Sequence, residues 1–230
     1  LFRASTNHVL VGCDADGLEL RALAGYLKPY DGGKYATAAV DGLKQKGTDI
    51  HSINRDALGI SSRDIAKTFF YAFIYGAGDG KLGVILGGGP KRGREARQKF
   101  LSGVSGLMEL TSKVKQVYRR RGHLIGLDGR KLHIRSEHSA LNTLLQSAGA
   151  VLMKKALILL DDRLKEHYKH HDYEFVANIH DEFQIEVKEE YAKEIASHAA
   201  ESICRAGQYF EFGCTLSATS HIGKTWADTH

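Results

Sequence analysis

The stretch FVANIHDEFQIEV, residues 175–187, decides the fold class. Two short apolar runs, 175–179 and 183–187, are split by His180, Asp181 and Glu182. Successive strand residues point to opposite sides, so Phe183, Ile185 and Val187 share one face. This is the pattern of a β-hairpin with acids at its tip. A matching strand lies far away in sequence: residues 9–13, VLVGC, form an apolar run suited to a buried strand and close on Asp14. Helical spacing then takes over through Leu18, Leu23, Ala24 and Leu27. Strands near both ends with helices between them predict an α+β fold, its antiparallel sheet built from residues 9–13 and 175–187.

Between these strands the sequence predicts a break over 28–34, where Pro29, Gly32 and Gly33 cluster. A helix follows from Ser61 or Ser62, with Asp64 in its first turn and Ile65, Phe69, Phe73 and Ile74 at helical spacing, ending near Tyr75 before Gly76, Gly78 and Gly80. Beyond a second break at 87–93, one charged helix is expected over 94–121, then a turn at 126–129 and a strand at 131–135. Helices are expected over 139–168 and 190–206, followed by an irregular tail to His230. No internal repeat is found.

At 230 residues the chain is long enough for one or two domains. Apolar types at 43% and charged types at 26% exclude a disordered, collagenous or disulfide-scaffold protein. The best apolar run, 149–160, is interrupted by Lys154 and Lys155, short of the roughly 20 residues of a membrane helix. No signal peptide is found. A net charge of +5, taken as spread over the whole chain, favours a polyanionic partner. Cys13, Cys204 and Cys214 are odd in number and far apart, which suits a reducing cytoplasmic setting. The lack of an initiator methionine suggests a chain that begins inside a longer protein.

Generic motifs carry little. Gly78, Gly80 and Gly83 have dinucleotide-site spacing but follow a helix rather than a strand, and Tyr75 and Leu82 break a P-loop reading around Lys81. His167, His170 and His171 suit a polar helix end better than a metal. Three separated segments interlock instead. In DADGLELR, residues 14–21, an aspartate closes a buried strand, although Asp14 or Asp16 could equally cap the helix that follows. In RDIAKTFFYAFIYGAG, residues 63–78, Arg63, Lys67, Tyr71 and Tyr75 recur every four residues and drift only about 40° per step around the axis. Two cations and two flat rings in a stripe suit the phosphates and the base or sugar of a nucleotide. A solvated basic face with snorkelling tyrosines is the alternative, and Ile65, Phe69 and Phe73 form the expected packed side. In IHDEF, residues 179–183, the acids suit a turn, but with Asp14 they also suit a two-metal phosphoryl-transfer centre. Magnesium, which prefers oxygen ligands and keeps waters, fits such a pair.

In this order the three segments resemble motifs A, B and C of family A DNA polymerases, and more closely their T-odd phage replicative branch, with its Gly-Leu-Glu-Leu-Arg after the first aspartate. DIHS (49–52), LDGR (127–130), ALNTLLQSAGA (140–150) and the tail 226–230 extend the resemblance over almost the whole chain. It implies a polymerase palm at 1–28 and 124–230 and helical fingers at 29–123. It implies that Asp14 and Asp181, with the carbonyl of Ala15, hold two Mg2+ ions, and that Glu182 is a supporting acid. His51, Arg63 and Lys67 would hold the incoming deoxynucleoside triphosphate. Tyr71 would pack on its sugar and base, Tyr75 would stand on the template side, and Glu19, assisted by Tyr71, would exclude a ribose 2′-hydroxyl. Asn142, Gln146 and His180 would read the minor groove and primer end, and Arg130 would meet a DNA phosphate.

The implied function is DNA-templated nucleotidyl transfer to a primer 3′-hydroxyl, with the fingers closing on a correct pair. Asp16 departs from the phage pattern; it could join a metal site, but it is expected to cap the following helix. The chain starts thirteen residues before Asp14, so the thumb and exonuclease domain are expected to be absent, with a thumb-bearing N-terminal part supplied elsewhere. The alternatives are a non-catalytic DNA-binding or assembly subunit of a split polymerase, and a two-metal nuclease, which has no use for the stripe on residues 63–75.

Overall fold

The computed structural model describes residues 2–230, so Leu1, the first residue of the expected palm segment, lies outside the described residues. Along the chain run β1 (His8–Ala15), α1 (Leu18–Asp31), α2 (Lys34–Asp41), α3 (Ile50–Leu58), α4 (Arg63–Ile74), α5 (Asp79–Ile85), α6 (Pro90–Gly103), α7 (Leu107–Arg121), β2 (His123–Ile125), β3 (Lys131–His133), α8 (Ala140–His167), β4 (Tyr173–Ile179), β5 (Glu182–Lys188), α9 (Ala192–Tyr209), β6 (Ala218–Gly223) and α10 (Trp226–Thr229). They form two compact units, one of residues 2–18 with 149–230 and one of residues 19–148.

The first unit is an antiparallel sheet in the order β4-β5-β1-β6. Strand β1 reads as a continuous apolar run because it is interior and covered on both faces. Val11 lies opposite Ile185 and Cys13 opposite Phe183. All four are almost fully buried, on the face that α9 covers with Ile195, Ala199 and Ile203. On the other face Gly12 sits under α10. A Cβ there would lie 2.4 Å from the Thr229 carbonyl oxygen, so only glycine permits the approach. The expected hairpin is β4–β5, with a bulge between Phe175 and Ala177 and a turn in which His180 takes φ +55°. The expected irregular tail is instead β6 and α10. Strand β6, ATSHIG, is a polar edge strand, and its pairing with β1 rather than a hydrophobic run makes it a strand. Thr225 and Asp228 then start α10 with a reciprocal capping box.

The second unit is mainly helical. The Ser62 side chain caps α4 by accepting from the Ile65 amide at 3.2 Å, as the sequence predicts. The buried face of α4 is Ala66, Phe69, Phe70 and Phe73, and its three phenylalanines pack on Phe100 of α6. Ile65, expected on that face, is 40% exposed, because the i, i+3, i+4, i+7 stripe is centred one residue further on. The expected break at 28–34 is shorter than predicted. Helix α1 continues through Pro29, which costs it one i→i−4 hydrogen bond near its end, and stops at Gly32 and Gly33 with φ +67° and +84°. The charged helix expected over 94–121 is two helices: Pro90 starts α6, and a turn ending on Gly106, at φ +76°, separates it from α7. Helices α2, α3 and α5, too short for a strong periodic signal, are additional.

Helix α8 lies where expected, and by length and composition alone it could cross a membrane. The interruption at Lys154 and Lys155 does not remove that quality. Leu144, Leu145, Ala148, Leu152, Ala156, Leu160 and Leu164 are nonetheless buried, which makes it a core helix of the fold.

Candidate active site

Each unit gathers one set of candidate residues. In the sheet unit, Asp14 ends β1 and lies opposite Glu182 in the strand register. The Ala15 amide donates to the Asp181 carbonyl at 3.0 Å, tying the hairpin tip to the end of β1. Two segments more than 160 residues apart in sequence thus bring Asp14, Ala15, Asp181 and Glu182 together, with His180 exposed on the same tip. A cleft of about 290 Å³ opens there, lined by Asp14, Asp16, Glu182, Thr219, His221 and His230. Partial burial, and then the neighbouring carboxylates of Asp181, Glu182 and Asp16, push the Asp14 carboxyl up to about 6. A site that holds its acids this reluctantly favours a cation.

Glu182 is buried, and its oxygens are spoken for. Gln184 and the Trp226 indole N–H donate to Oε1, the latter at 3.3 Å, and His230 Nδ1 lies 2.7 Å from Oε2. Asp16, expected to cap α1, accepts hydrogen bonds from Ser217 at 2.6 Å and Thr219 at 2.8 Å and so fixes the strand beside β1. Among the described residues no group of three or more His, Cys, Asp or Glu side chains is set to hold a metal unaided. The oxygens of Asp14, Asp181 and the Ala15 carbonyl nevertheless fit magnesium, which binds through few carboxylates and fills its remaining positions with water and substrate oxygens.

In the helical unit the stripe on α4 forms as the spacing predicts. Tyr71 and Tyr75 stack with ring centroids 6.4 Å apart and 25° between planes. Lys67 is exposed. The Arg63 guanidinium binds Asp49, with Nη2 2.6 Å and Nε 3.1 Å from Oδ1. Asp49 also caps α3, accepting from the His51 amide at 3.1 Å and from the Ser52 hydroxyl at 2.5 Å. Burial works to raise its carboxyl, but the hydrogen bonds of Arg63 and Ser52 and the Arg63 charge outweigh it and bring Asp49 down to about 2. Burial, and then the charges of Arg63 and Lys67, lower His51 to about 4, so its ring is neutral near pH 7. That ring packs against Phe70 and Tyr71, with Nδ1 buried and without a hydrogen-bond partner.

Glu19, which the resemblance associates with Tyr71, accepts from the hydroxyl of Tyr75 at 2.5 Å. The Asn142 amide donates to the Ile74 carbonyl at 2.6 Å, joining the start of α8 to the end of α4, and Gln146 lies exposed one turn further along. Arg130 belongs to the β2–β3 turn, where Asp128 holds its guanidinium at 2.5 Å.

The reading of the sequence gave no role to several residues that organise these sites. Asp49 supports both Arg63 and His51, yet a carboxylate fourteen residues from its arginine leaves no periodic trace. Gln184, Trp226 and His230 hold Glu182, and the only signal was the match of the tail 226–230.

The family model described as DNA polymerase family A matches residues 1–228. The DNA-directed DNA polymerases of Enterobacteria phage T3 and Escherichia phage T7 are each 39% identical over 241 residues, covering 96% of this chain and 33% of each relative. DNA polymerase I of Aquifex aeolicus is 26% identical, covering 98% of this chain and 40% of that protein. The chain spans about a third of the length of the phage relatives it matches. A solved structure, the POL domain of Pol1 from M. smegmatis in complex with DNA primer-template and dNTP, has the same fold at a TM-score of 0.81 and 19% identity, over 97% of this chain and 41% of that one.

Proposed function

The chain belongs to DNA polymerase family A, and from that premise we propose that it carries the nucleotidyl-transfer centre of a DNA-templated DNA polymerase. Residues 1–28 and 124–230 act as palm and residues 29–123 as fingers. The substrates are deoxynucleoside triphosphates and a primer-template, and the work is done in the cytoplasm of a phage host. The observation that supports this best is the convergence of Asp14, Asp181 and Glu182 at the end of β1, where burial and then the neighbouring carboxylates raise the Asp14 carboxyl to about 6.

Asp14 and Asp181, with the Ala15 carbonyl, would hold two Mg2+ ions, which when bound promote attack of the primer 3′-hydroxyl on the α-phosphorus and stabilise the leaving pyrophosphate. Glu182, pinned by Gln184, Trp226 and His230, keeps the hairpin tip rigid. Lys67 and Arg63 bind the triphosphate as cations, Arg63 sharing its guanidinium with Asp49. Neutral His51 adds a hydrogen bond, not a charge. Tyr71 packs on the sugar and base, and Tyr75 on the template side. Tyr75 aims the Glu19 carboxylate at the position of a 2′-hydroxyl. Asn142, Gln146 and His180 contact the minor groove and primer end, where acceptors are common to all base pairs, and Arg130 contacts a phosphate.

The test is template-dependent pyrophosphate release by the complete polypeptide that carries this region, with and without Asp14→Asn. Release by the wild type that the variant loses supports the reading. DNA cleavage without pyrophosphate identifies a nuclease, and DNA binding with neither product identifies a non-catalytic subunit. Either result overturns the reading.

A further inference from the structure

The helical unit carries a second cationic surface that the nucleotide stripe does not use. Residues 90–121, which contain α6 and α7, hold ten lysines and arginines against two glutamates. The buried side of α6 is Gly93, Ala96 and Phe100, and Phe100 enters the aromatic cluster beneath α4. A Cβ on Gly93 would meet the Asp79 carbonyl oxygen at 1.9 Å, so that side is in close contact with α5. Phe100 therefore packs on the apolar side of α4, against Phe69, Phe70 and Phe73 rather than on the stripe of Arg63, Lys67, Tyr71 and Tyr75. Lys91, Arg92 and Lys99 on α6 are exposed, as are Lys113, Arg120 and Arg121 on α7. None of these six enters an ion pair among the described residues, so their charges are not neutralised within the fold.

We propose that the exposed faces of α6 and α7 bind the phosphate backbone of duplex DNA, apart from the site that handles the primer end. A folded protein partner would need an apolar anchor, and Met108 is the one large hydrophobic side chain on α6 and α7 that is substantially exposed among the described residues. Single-stranded nucleic acid is held by exposed aromatic side chains on which bases stack, and the aromatics of these helices are the buried Phe100 and the half-buried Tyr118. Unpaired cations without anchors or stacking platforms suit repeated backbone phosphates read without regard to sequence.

The experiment measures binding of a blunt duplex to the complete polypeptide by fluorescence anisotropy over a range of salt. The variants are Lys91→Glu/Arg92→Glu/Lys99→Glu and Lys113→Glu/Arg120→Glu/Arg121→Glu. Each lies at exposed positions, and a thermal melt checks that folding is kept. With each phosphate contact contributing about 0.9 to the slope of log affinity against log salt, each triple is expected to weaken duplex binding about tenfold or more and lower the slope by up to about 2.7. Incorporation at saturating primer-template should be unchanged. Arg63→Ala/Lys67→Ala should do the reverse, reducing incorporation and sparing duplex affinity, so failure of this proposal is distinguishable from failure of the nucleotidyl-transfer reading. Unchanged duplex affinity and slope in both triples would overturn it. So would loss of binding to single strands or to a polyglutamate peptide while duplex binding stays intact.

Discussion

The sheet unit and the helical unit have opposite charge. Residues 19–148 hold 22 lysines and arginines against 11 acids, a net of +11, whereas the sheet unit holds 10 against 16, a net of −6. The overall +5 is therefore not spread over the chain, as composition alone suggested, but is the remainder of two opposed fields. The difference matches the chemistry. The acidic unit gathers Asp14, Asp181 and Glu182, and the basic unit gathers the cations and rings of the α4 stripe, the two sets that the proposed function assigns to metal and nucleotide. A bulk pI near 9 hides the acidic unit altogether.

That contrast can be broken from either side, and the largest effect is expected in the acidic unit. Asp181→Asn, with the fold intact by circular dichroism, should lower incorporation by about three orders of magnitude or more, since a metal centre supplies several kcal/mol of transition-state stabilisation. Near wild-type incorporation in magnesium would leave the acidic unit without a catalytic role. In the basic unit, Arg63→Ala should raise KM for the triphosphate by about tenfold to a hundredfold, the size of one or two lost charge-assisted hydrogen bonds. It should also destabilise by about 1–2 kcal/mol, because Asp49 loses its ion-pair partner in a half-buried place. A melting loss with unchanged KM would make Arg63 a purely structural partner of Asp49.

A smaller effect sharpens the account of the sugar. Glu19→Ala should admit ribonucleotides by about tenfold, the order of one hydrogen-bond or steric contact. Tyr75→Phe should do the same more weakly by freeing Glu19. The Tyr71 hydroxyl can take the place of the 3′-hydroxyl that a dideoxynucleotide lacks, so Tyr71→Phe should instead raise discrimination against dideoxynucleotides. Competition assays in which none of the three changes sugar choice would reject this grouping. The smallest effect concerns pH. Free His51 would protonate near 6.5 while the folded ring stays neutral down to about 4. The unfolded chain thus binds the extra proton in that window, and stability falls as pH drops from 6.5 towards 4. His51→Gln should flatten that part of the curve of melting temperature against pH, and an unchanged slope would show that the ring titrates freely.

What the sequence disclosed follows from where its signals are local. Strand β1, the β4–β5 hairpin and α4 were legible because burial writes a dense apolar pattern within a few residues, and Ser62 marks a helix start. The stripe Arg63, Lys67, Tyr71, Tyr75 was legible for the same reason. Pairings across distance were not. Strand β6 is polar and becomes a strand only against β1, and the same holds for the bonds of Asp16 to Ser217 and Thr219 and of Glu182 to His230. Glu19 was legible only through the family resemblance, and its hydrogen bond from Tyr75 is a long-range pairing that spacing does not reveal.

The division of labour between the two units is tested most directly by measuring deoxynucleotide affinity and single-turnover incorporation together for Asp14→Asn and Lys67→Ala in the complete polypeptide. The account predicts that Asp14→Asn keeps its nucleotide affinity within a few-fold while incorporation is lost. It predicts that Lys67→Ala binds nucleotide about tenfold or more weakly, yet regains much of its rate at saturating nucleotide. The reverse pattern, with affinity lost in Asp14→Asn and rate lost at saturation in Lys67→Ala, would contradict it.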